Sequence, residues 1–249
     1  MTKLTGTAQK MLDAYGGEDL WRNSTKIDAL VSVNGWAFRL KRQRPFREVQ
    51  VVSQIANPVV DFKPIDRSHN FGVFTANETR IVQGDGQIRV RRAEPRAQFF
   101  YGVAGLRRKL WWDRLDMVYF AGYAFWNYFT LPALLLREDI YWRELSPNVL
   151  AATFPDSLPT HCREQVFHLD PNTGLLRQHD YVADVIGRRA VAAHVIQEHG
   201  EWKGLPYPAP ASSPRDARTG PPRRARCSST SRCMNGALGR DARQAWPKA

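Results

Sequence analysis

The sequence predicts an α+β fold: a strongly curved antiparallel β-sheet, a half-barrel, wrapped around a central aromatic helix, with an N-terminal helix packed alongside. Three observations predict it. Residues 117–136, MVYFAGYAFWNYFTLPALLL, carry no charge. Segments of period-two alternation lie on both sides of that run. The chain also opens with apolar residues at helical spacing. A helix that is apolar all round has to be buried all round, and a sheet built from both flanking blocks can bury it.

Leu4, Ala8, Met11, Leu12 and Tyr15, then Leu20 and Trp21, recur at helical spacing over residues 4–23. Gly16-Gly17 interrupts that helix as a bend. From Lys26 the period becomes two: Ile27, Ala29, Val31 and Val33 alternate with polar residues. Trp36, Phe38 and Leu40 continue the alternation, which puts Arg39 and Lys41 on a solvent face. Val49 and Val51, Val60 and Phe62, Phe71 and Val73, Arg80–Gln83, and Ile88 and Val90 extend a meander, with turn signals at Asn77-Glu78 and Gly84-Asp85-Gly86. Residues 95–136 read as a helical insert. Strands resume at Ile140–Leu145, Val149–Phe154, Thr160–Leu169, Leu175–Ala183 and Ala190–Gln197. Asp170-Pro171-Asn172-Thr173-Gly174 forms a hairpin loop between two of them.

The apolar run is long enough for a bilayer core of about 30 Å. Asn127 near its centre, Gly122, Tyr119, Tyr123, Tyr128 and Pro132 argue against a span. So does topology, because a span would separate the two β-blocks and leave each without a second layer. The spacing predicts a buried helix over about Leu115–Thr130, ended by the effect of Pro132 on Leu131.

Residues 1–208 read as one domain. The remainder, 209–249, holds nine of the 36 basic and two of the 24 acidic residues and lacks periodicity. It is expected either as a disordered basic tail or as a frameshift product standing in place of closing strands, since Arg/Pro/Ala/Ser-rich text is what GC-rich coding DNA gives in a wrong frame. The net charge of +12 therefore belongs largely to this tail. Three cysteines without a CxxC argue against a disulfide framework or a structural zinc. The N-terminus lacks an apolar run of signal-peptide length. A cytoplasmic location is expected from the chain as written, and a periplasmic or cell-envelope one only from an upstream start.

The opening MLDAYGGEDLWRNSTKIDALVSVNG and the hairpin VFHLDPNTGLLRQHDYVADV resemble the corresponding segments of the outer-membrane lipoprotein carrier superfamily, a bacterial family of half-barrels. The first matches its helix, Gly-Gly, Trp and first strand; the second matches its strand, Asp-x-x-Thr-Gly turn and returning strand. The resemblance covers about residues 5–208. It implies a half-barrel with helices plugging its mouth, and a hydrophobic or acyl-chain ligand. The sequence departs from that family in lacking an export signal, a lipobox and the usual closing strand.

The functional expectation is non-enzymatic binding of a hydrophobic small molecule or acyl chain, without metal or cofactor. Trp112, Phe120, Tyr123, Phe125, Trp126, Tyr128 and Phe129 are the expected ligand-lining residues, with Trp111 in support. The alternatives are an enzyme using His, Glu and Asp residues of the C-terminal hairpins, and a membrane association through residues 117–136. His161, His168, His179, His194 and His199 read as scattered strand residues, since strand alternation turns neighbours apart. A hairpin symmetric about Asn172 would face Glu164 with Asp180 as a carboxylate pair. Adjacent strand positions keep Cys162 from being activated by His161. Asp170-x-Asn172-x-Gly174 reads as a turn and not a calcium loop, because position twelve is Tyr181. The basic patch Arg39, Lys41, Arg42, Arg44 and Arg47 reads as a solvated face, with an anionic membrane surface as its next use and no specific nucleic-acid partner. No P-loop, GxGxxG, GxSxG or HExxH motif is present.

Overall fold

In the computed structural model, residues 4–33, 36–209 and 232–239 are described. Helix α1 (Gly6–Ala14) is capped by Thr5, whose hydroxyl accepts from the Ala8 amide. Gly16 and Gly17, both at positive φ, turn the chain into α2 (Gly17–Arg22). Trp21 fixes the bend by donating from Nε1 to the Tyr15 carbonyl.

The first β-block follows as β1 (Lys26–Val33), a short helix α3 (Trp36–Leu40), then β2 (Phe46–Gln54), β3 (Val60–Lys63), β4 (Phe71–Phe74), β5 (Glu78–Val82) and β6 (Ile88–Ala93). A single 3-10 turn at Ala97–Phe99 leads to α4 (Gly102–Leu110) and the long α5 (Arg114–Leu134). The second block is β7 (Tyr141–Ser146), β8 (Val149–Thr153), β9 (Glu164–Leu169), β10 (Leu176–Val182) and β11 (Val191–Val195), followed by the hairpin β12 (Glu198–Trp202) and β13 (Leu205–Ala209). Residues Arg232–Gly239 form β14, paired antiparallel with β1. The rest of the basic tail lies outside the described residues.

Among the described residues the strands form a seven-stranded sheet ordered β14-β1-β2-β3-β4-β5-β6, a five-stranded sheet ordered β11-β10-β9-β8-β7, and the β12–β13 pair. Every pairing is antiparallel. The fold is α+β, as the sequence predicts. Helix α5 lies on β2–β5 of the larger sheet, and side chains of the smaller sheet meet its other flank. All of its 21 residues except Arg114, Phe120, Phe125 and Tyr128 are buried. Gly122 permits this approach, since a Cβ there would stand 2.2 Å from Cγ of Phe74. Among the described residues no helix is long and apolar enough to cross a membrane.

Two local expectations are corrected. Trp36–Leu40 is helical rather than strand, and Lys41 is buried instead of facing solvent. Its ammonium donates to the carbonyls of Arg108 at 3.0 Å and Lys109 at 2.8 Å, closing the C-terminal end of α4. Helix α5 also runs through Pro132 to Leu134. Burial of Leu131, Ala133 and Leu134 outweighs the steric preference of the pre-proline residue, a bias rather than a prohibition.

A buried ionic knot starts α5. Asp113 accepts from the Asp116 amide at 2.9 Å, and Asp116 accepts from the Asp113 amide at 3.1 Å, which makes a reciprocal capping box. The fully buried Asp116 carboxylate also takes Arg108 Nε at 2.5 Å, Arg92 Nη1 at 2.6 Å and Arg107 Nη2 at 3.0 Å. Burial pushes the Asp116 carboxyl upward while Arg108 opposes it. Its partner Asp113 is only half-buried; desolvation still opposes its ionisation, but bonds from Arg92 and the Asp116 amide carry it well below the usual carboxylate range.

Candidate functional site

The aromatic residues of α5 divide into two clusters. Phe125 and Phe129 join Phe46 and Phe62 of the larger sheet, with Phe125 centred 6.4 Å from Phe46, 6.0 Å from Phe62 and 5.3 Å from Phe129. Trp126 is fully buried and donates to the Gln54 carbonyl at the end of β2. These three side chains hold the helix on its sheet.

The second cluster faces the smaller sheet. Phe120 is half-buried, and its ring lies 5.0 Å from Trp112, 5.6 Å from Tyr123 and 6.1 Å from His161. Tyr123 and His161 lie edge to face at 5.0 Å. One turn on, the Tyr128 hydroxyl sits 2.8 Å from His161 Nε2 and 3.0 Å from the Tyr181 hydroxyl. The Tyr128 ring also lies 5.9 Å from His179 and 5.3 Å from His194. The structure therefore gathers Trp112, Phe120, Tyr123 and Tyr128, four of the seven expected residues, in one place, and sends Phe125, Trp126 and Phe129 to another.

Sequence reasoning missed the imidazoles of this site. His161, His179 and His194 converge on Tyr128, whereas His168 pairs with Asp180 at 2.8 Å and His199 approaches the Tyr15 hydroxyl at 3.4 Å. The register explains the convergence. Across the smaller sheet Leu150 faces Phe167, Phe167 faces His179, and His179 faces His194, one row on one face. A β10–β11 hairpin drawn symmetrically about the 183–190 turn places His179 opposite His194, a signal present in the sequence. His161 comes from the loop between β8 and β9, where alternation says nothing. Asn127 holds that loop by donating to the Pro159 carbonyl at 3.0 Å, and Arg96 by donating to the Thr160 carbonyl at 2.8 Å. The His161 ring stacks on Tyr181 at 3.8 Å.

The expected carboxylate pair is not formed. Asp180 faces Val166, and Glu164 faces Thr153 on β8. The β9–β10 hairpin is centred on Thr173 instead of Asn172, which moves the partner of Asp180 by two residues, from Glu164 to Val166. Cys162 donates to the Glu164 carbonyl, and burial pushes its thiol upward, the direction away from a nucleophile. Asp170 accepts from the Asn172 and Thr173 amides as an ordinary turn, with Gly174 at φ +76.

The imidazoles and phenols of the site are held neutral, and the charges at its edge are Arg96 and its partner Asp184, 3.4 Å apart. Burial lowers the pKa of His161 far below the ordinary imidazole value, and the neighbouring His179 and His194 add to that. Burial brings His179 down to about 3 and lowers His194 as well. The same cause raises Tyr123 and Tyr128 well above 10. Several buried polar atoms here lack a hydrogen-bond partner: Trp112 Nε1, the Tyr123 hydroxyl and His161 Nδ1. The Tyr119 hydroxyl is also unbonded by geometry, although its proximity to Arg96 helps hold that guanidinium protonated against its burial. Among the described residues no group of His, Cys, Asp and Glu side chains is arranged to hold a metal ion. The arrangement offers hydrogen bonds from neutral donors and acceptors set in an aromatic wall.

No family model matches the chain, and no curated protein does. Among solved structures, a LolA superfamily protein from Nitrosomonas europaea is similar at 10% identity with a TM-score of 0.44, covering 84% of each chain. A DUF1329 family protein from Desulfovibrio piger is similar at 12% identity with a TM-score of 0.35, covering 82% of this chain and 85% of its own.

Proposed function

We propose that the chain binds an amphipathic ligand with an acyl-like apolar body at the Trp112–Phe120–Tyr123–His161 cluster, and that it acts by holding this ligand rather than by transforming it. One observation carries the reading. Three rings around the half-exposed Phe120 hold buried polar atoms that the protein leaves unbonded. An unmade buried hydrogen bond costs about 1–3 kcal/mol, so three on one cluster are a large standing cost in a marginally stable fold. A ligand whose head bonds these atoms and whose body lies along Phe120 and Tyr128 recovers it. The head is uncharged or weakly polar, because the imidazoles and phenols around it are held neutral. The two segments that resemble the lipoprotein carrier superfamily support the same reading.

Extraction of the purified protein with organic solvent, followed by mass spectrometry, tests it. Displacement titration with a fluorescent monoacylglycerol supplies the affinity. Bound amphiphile is expected, with Tyr123→Phe and His161→Phe together weakening it roughly tenfold and Phe125→Leu leaving it unchanged. Absence of both extracted amphiphile and titratable binding would overturn the proposal.

A further inference from the structure

Helix α4 is built inside out. An ordinary surface helix turns its apolar stripe inward and its charges to solvent. In α4 it is Arg108 that is buried, bonded to Asp116 and to the Gln98 carbonyl. Gly105 lies beside it on the inner face, where a Cβ would come within 3.2 Å of the Phe99 carbonyl. The stripe Val103, Leu106 and Leu110, spaced to share one side of the helix, faces out at 86%, 63% and 64% exposure. Tyr101, 74% exposed, precedes the helix and Trp111, 40% exposed, ends it. Arg107 and Lys109 flank the stripe on its two sides.

The neighbouring surface is cationic. Lys41 ties the α3 segment to the last carbonyls of α4, and the Trp112 amide donates back to the Lys41 carbonyl. Arg39, Leu40, Arg42 and Arg44 on that segment are all exposed. Among the described residues no carboxylate pairs with Arg39, Arg42, Arg44 or Lys109. Arg44 also lies near enough to Arg114 to oppose its protonation. The chain's own tail is a poor cover, because residues 210–231 and 240–249 together hold one large apolar side chain, Trp246, among many arginines.

We infer that α4 is an interfacial docking element that seats the protein on an anionic membrane surface, with Val103, Leu106 and Leu110 entering the headgroup boundary. Tyr101 and Trp111 sit at the two ends of the helix, residue types that favour this boundary. Lys109 and the arginines of the α3 segment supply the attraction to lipid phosphates. The exposed stripe shares no side chain with the orphaned polar cluster, although Trp112 adjoins both, and vesicle sedimentation and amphiphile titration read the two functions separately.

Sedimentation of the full chain with vesicles tests it, comparing phosphatidylcholine alone with phosphatidylcholine containing about 30% phosphatidylglycerol. Binding is expected only to the anionic vesicles and should weaken in about 0.5 M salt. Val103→Asp/Leu106→Asp should lower the partition coefficient about tenfold or more, and Arg42→Glu/Lys109→Glu by a similar factor, with circular dichroism spectra and melting curves unchanged. Equal sedimentation of wild type and both variants would overturn the inference. So would a concentration-dependent dimer lost in Leu106→Asp without vesicle binding, which would assign the stripe to a second copy of the chain.

Discussion

His179 stacks on Phe167 at 4.3 Å and bonds Gln165 Oε1 at 2.7 Å, in a place where burial lowers its pKa from 6.5 to about 3. The unfolded chain takes up this proton near 6.5, and the folded chain does not until about 3. The neutral form is therefore favoured by folding, and stability is lost as pH falls from 6.5 towards 3. Between about pH 7.5 and about pH 5 one such histidine removes about 2 kcal/mol. His161 and His194 shift in the same direction. Urea midpoints should therefore fall steeply over this interval, and His179→Gln should flatten the slope by about one histidine's share while retaining a partner for Gln165. At the same scale, Gly122→Ala drives a methyl into Phe74. Overpacking of about 1–3 kcal/mol exceeds the helix-propensity gain of about 1 kcal/mol, so a lower denaturation midpoint is expected. The sequence marks Trp112, Phe120, Tyr123 and Tyr128 because they are aromatic and lie in or beside one apolar run. It hides His161 because a loop residue has no period to read.

Helix α5 is legible because its composition leaves it no solvent face. Its end is less legible, since Pro132 biases only the residue before it and tertiary burial decides the rest. The α3 segment misleads for a related reason. Trp36, Phe38 and Leu40 fit a strand, but the chain curls there and places Lys41 under the end of α4, a demand set some seventy residues away. The start of α5 depends on Asp116, which three guanidinium groups surround in a buried setting. Asp116→Asn keeps the shape but leaves three arginines with less than their compensating charge. Removing one partner of a buried ion pair costs about 3–5 kcal/mol, so equilibrium unfolding should register a loss of that order. The effect should exceed that of Asp113→Asn, because Asp113 is about one-third exposed and its contribution is screened.

At the scale of the whole molecule, the two β-blocks keep to their own sheets, and α5 joins them. It grips the larger sheet through Trp126 and the smaller through Tyr128. The sequence marks the two blocks, because the insert at 95–136 separates them, but it predicts one sheet built from both, where the described residues form two. The partner of β1 does not follow from it, since β14 lies in a stretch without strand periodicity. Pairing of β14 with β1 from Lys26↔Gly239 to Ser32↔Arg232 makes β1 an interior strand. Its Ile27, Ala29 and Val31 are buried on one face, and its far edge is closed by backbone hydrogen bonds. Without β14 that edge becomes a row of unpaired amides and carbonyls beside an apolar strand, a template for association. Deleting residues 231–249 should therefore speed hydrogen exchange at alternate amides of β1 while leaving β9 and β10 protected. It should also produce concentration-dependent association measurable by light scattering. Protection of β1 unchanged by the deletion would show that the larger sheet closes without this strand.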